Sequence, residues 1–565
     1  MKIKKRRIFI GLLLFLMQLS LYAQYEVPLK IPLHLSANFG ELRNNHFHSG
    51  IDLKTQQVVN KPVYSVADGY VSRISVSPGG YGLAIYIDHP TNNQTSVYGH
   101  LNSFSKHIAE YVEDKQYELE SFRVDLYLEH NEISILKGEQ IALSGNTGSS
   151  GGPHLHFEIR DTKTQSPLDP LQYIAQNIKD TQKPDLRGVA FYPINRQGVI
   201  NGLTTPTRLT ISKSQAGNPL PMQRSINAWG KIGVGVKAYD KMDGQSNIYG
   251  VKHIRLFVDN LQVFSSTINE YLFSETRFLN SFVDFEDWRN NNSFFMKSFI
   301  ESGNKLRIYN NSINRGFIDI NEERPYRMRY ELEDHFGNVT TYEFIVNGLM
   351  QEIPLAQNCE QFMAWQYDNR YSNHDFTLNI SKGNLYSNFC YTHTTTYDNE
   401  NKYFSDIHQV NNTPVPLHNN GKMWIKIKSD KLEHVDKLGI VKLNRNNDSW
   451  MGGTYSRGGI ELNINELGNR YVISIDTIAP KITPINPQSW KQNGVVRINL
   501  SDDKSGISYF RGTIDGEFVL FKHDSKSNIY TYTFDRTRLK ELPVKNFRFI
   551  ARDTVGNESV YEYNL

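Results

Sequence analysis

Two cysteines, Cys359 and Cys390, are all that the 565 residues contain. That count excludes a disulfide-built scaffold and a cysteine-rich zinc site, and leaves the pair either one bridge in an oxidising compartment or two buried thiols. Long apolar runs are equally scarce. The one at Ile8 to Leu21 is shorter than the roughly 20 apolar residues a membrane-crossing helix needs, and it holds Gln18 and Ser20. Preceded by Lys2, Lys4, Lys5, Arg6 and Arg7 and followed by the small Ala23, it reads as a secretory signal over residues 1–23, cleaved before Gln24. No later stretch is apolar enough to span a bilayer. No cysteine stands near the cleavage point to take a lipid, and no wall-sorting signal follows Asn557, so the expected location is periplasmic or secreted. Charge of one sign is lacking too. Five of the 62 basic residues and none of the 59 acidic ones lie in the signal, so the rest of the chain sets 57 against 59 and offers nucleic acid no basic footprint.

What is present is β-rich and long. A single hydrophobic core stops growing at roughly 250 to 300 residues, so several domains are expected. From about Pro28 to Ile174, short β segments alternate with glycine turns: Val63 to Val66, Tyr70 to Val76, Leu83 to Asp88, Ser96 to Leu101, Gln140 to Ser144 and His154 to Arg160. This predicts an antiparallel β domain over 24–174. An insertion at 103–136 interrupts it, where Phe104, Ile108, Tyr111 and Val112 recur at helical spacing before alternating Phe122, Val124, Leu126 and Leu128.

Beyond residue 175 an imperfect repeat appears. Asp180-Thr181-Gln182-Lys183-Pro184 parallels Asp476-Thr477-Ile478-Ala479-Pro480, and Asp334-His335-Phe336-Gly337-Asn338 parallels Asp553-Thr554-Val555-Gly556-Asn557. An acidic, glycine-containing stretch lies between each pair, at Asp240 to Gly244 and at Asp502 to Gly506. The aspartates are read as turn formers rather than calcium ligands, because no ordered set of oxygen ligands accompanies them. The repeated order resembles immunoglobulin-like β-sandwich modules, expected at 175–348, with an insertion, and at 471–565. A further β-rich domain of unassigned role is expected at 349–470.

Chemistry concentrates in three segments of the first domain: His48-Ser49-Gly50-Ile51-Asp52, Tyr98-Gly99-His100-Leu101 and His154-Leu155-His156-Phe157-Glu158. On a strand, His154 and His156 share one face while Leu155 and Phe157 take the other. His48 and Asp52 would stand about 13 Å apart on a straight strand, so sharing an ion demands a bend, which Gly50 permits. Two neutral imidazoles and a carboxylate with an open fourth position are the donor set of catalytic zinc, and two histidines remain for acid–base work. His46 and His89 fit no ligand pattern and are read as structural or surface groups. Glu158, on the face of His154 and His156, is a candidate for orienting a histidine, with a plain surface carboxylate as the alternative.

Together with Phe39-Gly40-Glu41-Leu42-Arg43, Gly145-Asn146-Thr147-Gly148 and the Gly152-Pro153 that precedes His154, these segments resemble the lysostaphin-like zinc metallopeptidases over about a quarter of the chain. The resemblance implies an antiparallel β core crossed by a groove and a zinc-dependent endopeptidase acting on the peptide cross-links of bacterial peptidoglycan at the cell wall, with zinc-activated water as nucleophile. It implies His48, Asp52 and His156 as ligands of one zinc ion per chain and His100 and His154 as the catalytic pair. The immunoglobulin-like modules would offer surfaces to protein partners.

Overall fold

The computed structural model describes residues 25–354, 359, 361–428, 431, 434–535, 537–539 and 545–565, with the side chains of 195 and 196 left aside. The expected signal at 1–23 lies outside these residues. Strand residues far outnumber helical ones among the described residues, the mainly β architecture expected. Among the described residues no helix is long and apolar enough to cross a membrane. Packing divides the chain in an unexpected way. Of the described residues, those from Tyr25 to Phe39 associate with Ser49–Asp180, whereas Gly40–His48 associates with Thr181–Leu565.

The first unit is built on an antiparallel sheet in the order Leu35–Ala37, Ile51–Lys54, His154–Asp161, Gln94–Leu101, Leu83–His89, Gly69–Val76, Val124–Tyr127. Alternation creates its two faces. Leu155, Phe157 and Ile159 are fully buried with Ile74, Ile85 and Ile87, each such side chain contributing about 1.5 to 3 kcal/mol when removed from water. The intervening positions 154, 156 and 158 carry the polar groups. The insertion folds as a helix, Lys106–Glu118, burying Ile108 and Val112, followed by the strand Val124–Tyr127. That strand pairs with Gly69–Val76 and closes the sheet edge, four strand spacings, or about 19 Å, from His154–Asp161.

In the second unit, one sheet runs Thr207–Thr210, Asp185–Ile200, Ile226–Tyr239, Val339–Gly348, Pro325–Glu333, His253–Val258, Leu261–Thr267. It contains one parallel contact, Ile226 to Ala228 beside Val346 to Gly348. A second sheet spans Asn369–Ser372 to Gly459–Ile475 around Phe376, Leu378, Ile425 and Ile473. Cys359 and Cys390 are joined by a disulfide, resolving the alternative that the cysteine count left open. The last stretch forms sheets of three and four strands around Trp490, Val496, Ile498, Phe521 and Phe549.

The repeat read from sequence has matching geometry. Asp334 Oδ1 accepts from the amides of Phe336 and Asn338 at 2.8 and 2.9 Å, and its Oδ2 accepts from Asn338 Nδ2 at 2.7 Å. Asp553 receives the same three bonds from Val555, Asn557 and Asn557 Nδ2 at 3.0, 2.8 and 2.7 Å. Gly337 and Gly556 supply the positive φ of these turns, 85° and 83°. In each copy the three equivalent aspartates gather, as Asp180, Asp240 and Asp334 and as Asp476, Asp502 and Asp553, with oxygens within 4.8 Å of one another.

Candidate metal centre

Strand register sets the centre. His156 lies directly opposite Asp52 on one neighbouring strand and opposite Gly99 on the other. A bend at Ser49 and Gly50 separates His46–Phe47 from Ile51–Lys54. Gly50 is needed there for close approach, since a Cβ would come within 2.3 Å of the Phe157 carbonyl oxygen. The bend returns His48 to Asp52 and His156, and one donor atom from each of the three lies within 4.8 Å of the others, all three side chains being buried.

His100 and His154 stand alongside, their rings 4.8 Å apart. His100 occupies an irregularity where the pairing of Gln94–Leu101 with Leu83–His89 shifts register, and its φ is 57°. Such bulges re-aim side chains beside active sites. His100 Nδ1 donates to the Thr147 carbonyl at 2.8 Å, and His154 Nδ1 donates to the Gly152 carbonyl at 2.8 Å. A carbonyl only accepts, so each Nδ1 carries a hydrogen and Nε2 is the atom left toward the cluster. His154 Nε2 is 3.4 Å from Asp52 Oδ1. Burial, followed by the adjacent imidazoles of His156 and His154, pushes the pKa of His100 down to about 3.

His156 is held from both sides. Nε2 bonds Glu158 Oε1 at 2.8 Å and Nδ1 faces Asp52 Oδ1 at 2.9 Å. Burial works to lower its pKa, but the hydrogen bonds to Asp52 and Glu158 outweigh it and hold the pKa up at about 9. Glu158 is fully buried and accepts in addition from Ser49 Oγ and Tyr81 OH at 2.6 Å each and from Arg160 Nε at 2.6 Å. Burial works to raise its pKa, yet the Arg160 guanidinium and His156 keep the carboxyl well below the usual carboxylate range. Arg160 thus balances Glu158, and Asp52 Oδ1 faces His156 Nδ1. Two imidazoles and a carboxylate suit zinc.

Every site residue expected from sequence therefore falls in one cluster. His46 is exposed, with Nδ1 on the Asn44 carbonyl, and His89 is buried between the Asp68 carbonyl and Ser96 Oγ, so neither joins it. Glu158 is anything but a surface group. Sequence reasoning missed Ser49, Arg160 and Tyr81, whose ring stacks on His156 at 5.0 Å. The signal for Tyr81 was its place between Gly80 and Gly82. Arg160 continues the same strand face beyond Glu158.

Residues 46–117 match Peptidase family M23, and residues 360–476 match the Zu5-like domain. Over 112 residues the chain is 36% identical to an uncharacterized metalloprotease of Haemophilus influenzae, covering 20% of this chain and 18% of the relative. Over 113 residues it is 34% identical to the DD-carboxypeptidase/endopeptidase Mpg of Neisseria meningitidis serogroup B, covering 20% of each. The chain thus spans about a fifth of the length of these curated relatives. The catalytic domain of lysostaphin from Staphylococcus simulans aligns at 20% identity over 25% of this chain and 92% of that one, with a TM-score of 0.19.

Proposed function

We propose, from the membership of the N-terminal domain in Peptidase family M23, that the protein is an exported zinc endopeptidase hydrolysing peptide cross-links of bacterial peptidoglycan. The observation that carries this reading is the convergence of His48, Asp52 and His156 donors within 4.8 Å, with two further imidazoles beside them. His48, Asp52 and His156 Nδ1 would hold the ion. Bound zinc supplies Lewis acidity for a carbonyl oxygen and an acidified water.

The chain's own residues do the rest. Glu158 fixes the His156 ring by accepting from Nε2, leaving Nδ1 for the metal. Ser49, Tyr81 and Arg160 hold Glu158 ionised and immobile. His100 and His154, each pinned through Nδ1 to a backbone carbonyl, present Nε2 to accept a proton from the attacking water and return it to the leaving amine. Their hydrogen bonds, once protonated, also stabilise the tetrahedral oxyanion.

The Neisseria relative is named a DD-carboxypeptidase/endopeptidase, so a D-alanyl cross-link is the bond to try first. We read 175–348 and 471–565 as immunoglobulin-like modules that hold the enzyme at the wall or dock it to protein partners, supported by their matched aspartate turns.

The test is digestion of isolated peptidoglycan by protein starting at Gln24, beside a His156→Ala variant and a chelator-treated sample, with fragments identified by mass spectrometry. Loss of one defined peptide linkage in the untreated wild type alone is expected. Intact cross-links in several wall chemistries, with zinc bound, would refute the reading in favour of a regulatory binder.

A further inference from the structure

Chain order alone would assign Gly40–His48 to the N-terminal domain, yet these nine residues pack with Thr181–Leu565. They form a small hairpin in which Leu42–Arg43 pairs with His46–Phe47 across Asn44 and Asn45, the latter at φ 65°. His48 is the residue that leaves it. Its amide donates to the Glu41 carbonyl at 2.9 Å, and its carbonyl accepts from the Gly40 amide at 2.9 Å. Both main-chain groups of His48 are therefore committed to the hairpin.

The hairpin in turn is fastened to residues 268–280. Phe47 is 1% exposed and its ring lies 5.3 Å from that of the fully buried Tyr271. Tyr271 OH donates to the Phe47 carbonyl at 3.0 Å, and the Phe47 amide donates to Thr276 Oγ1 at 2.9 Å. At the turn, Asn280 Nδ2 donates to Asn45 Oδ1 at 2.9 Å. At the base, Gly40 lies so close to Ile268 that a Cβ would stand 2.3 Å from Cγ2. Phe47, the residue before His48, thus has its carbonyl and amide anchored by two side chains more than 200 residues further along.

We infer that Tyr271 and Thr276 are positioning residues for His48 and so for its donation to a metal ion. This rests on the reading of His48 as a metal ligand. A ligand must be held within about 0.5 Å of its working position, and neither the hairpin's two short strands nor the bend at Gly50 provides that rigidity alone. Released from Tyr271 and Thr276, the hairpin keeps its own pairing but loses its fixed place, and His48 moves with it.

The experiment uses the full chain from Gln24 with Tyr271→Phe, Thr276→Val, the double variant, and Thr276→Ser, which retains the hydroxyl. Zinc affinity is read by competition with a chromophoric chelator, and ligand geometry by the absorption spectrum of the Co2+-loaded protein. The double variant is expected to bind zinc about tenfold or more weakly and to shift the cobalt bands, with Thr276→Ser close to wild type. Should the double variant fail to fold, Thr276→Val against Thr276→Ser decides by the same readouts. A folded variant that binds zinc as tightly as wild type, with the same cobalt spectrum, overturns the inference and leaves the metal centre intact. A wild type that binds no zinc overturns the metal reading, and the inference with it.

Discussion

The aspartate clusters of the repeated C-terminal turns and the N-terminal centre both bring donor atoms from separate segments within 4.8 Å of one another, but they differ in how the side chains are held. Asp334 and Asp553 spend their oxygens on amides two and four residues away, within their own turns. His48, Asp52, His100, His154 and His156 come from three separate segments and converge on one another. Two of the histidines are tied down through the nitrogen remote from the cluster. Local satisfaction is what a turn requires. Convergence, with the outward atoms restrained and the inward ones left for a ligand, is what a reactive centre requires.

That contrast can be broken experimentally. His156→Ala or Asp52→Ala removes one of three ligands, and bound zinc and cross-link cleavage should both disappear, as read by metal analysis and fragment release. His100→Ala and His154→Ala should keep zinc but lower kcat by about 10²- to 10⁴-fold; variants that lost zinc would make them ligands instead. Glu158→Gln should weaken zinc binding about 10- to 100-fold in chelator competition. It also leaves Arg160 without its buried partner, costing about 3 to 5 kcal/mol in denaturant unfolding.

The pH dependence is gentler. Proton and metal compete for His156 Nδ1, whose pKa without metal is raised to about 9. Apparent zinc affinity should therefore fall about tenfold for each unit of pH below 9 and level off above it. The same proton stabilises the metal-free fold. That contribution is complete below the ordinary value of 6.5 and is lost as pH rises through 9, which thermal melting of the metal-free protein should reveal. Smallest in its effect on catalysis is Asp553→Ala, expected to cost about 1 to 3 kcal/mol of stability and leave cleavage unchanged.

The candidate site residues stood out before any geometry because metal-ligating types recur in three glycine-flanked segments, and their separate roles came from the resemblance to the lysostaphin-like metallopeptidases. His154 and His156 needed only alternation, and the duplicated turns only the order Asp, Gly, Asn. What could not be read were contacts without a periodic signature. Gly50 matters through the distance to a carbonyl over a hundred residues away, and the bulge that turns His100 inward is a register shift between strands. Tyr81 and Ser49 are defined only by meeting at Glu158. The fastening of the His48 hairpin to Tyr271 and Thr276 joins segments that nothing in their local sequence relates. The Zu5-like match at 360–476 falls where only a β-rich domain had been legible.

The most direct test is turnover of a synthetic D-alanyl cross-linked stem-peptide dimer by metal-stripped protein titrated with zinc. Cleavage that rises with added zinc and saturates at one equivalent, and is absent in His156→Ala, is the predicted result. Cleavage independent of zinc, or equal in wild type and His156→Ala, would contradict a catalytic metal held by His48, Asp52 and His156.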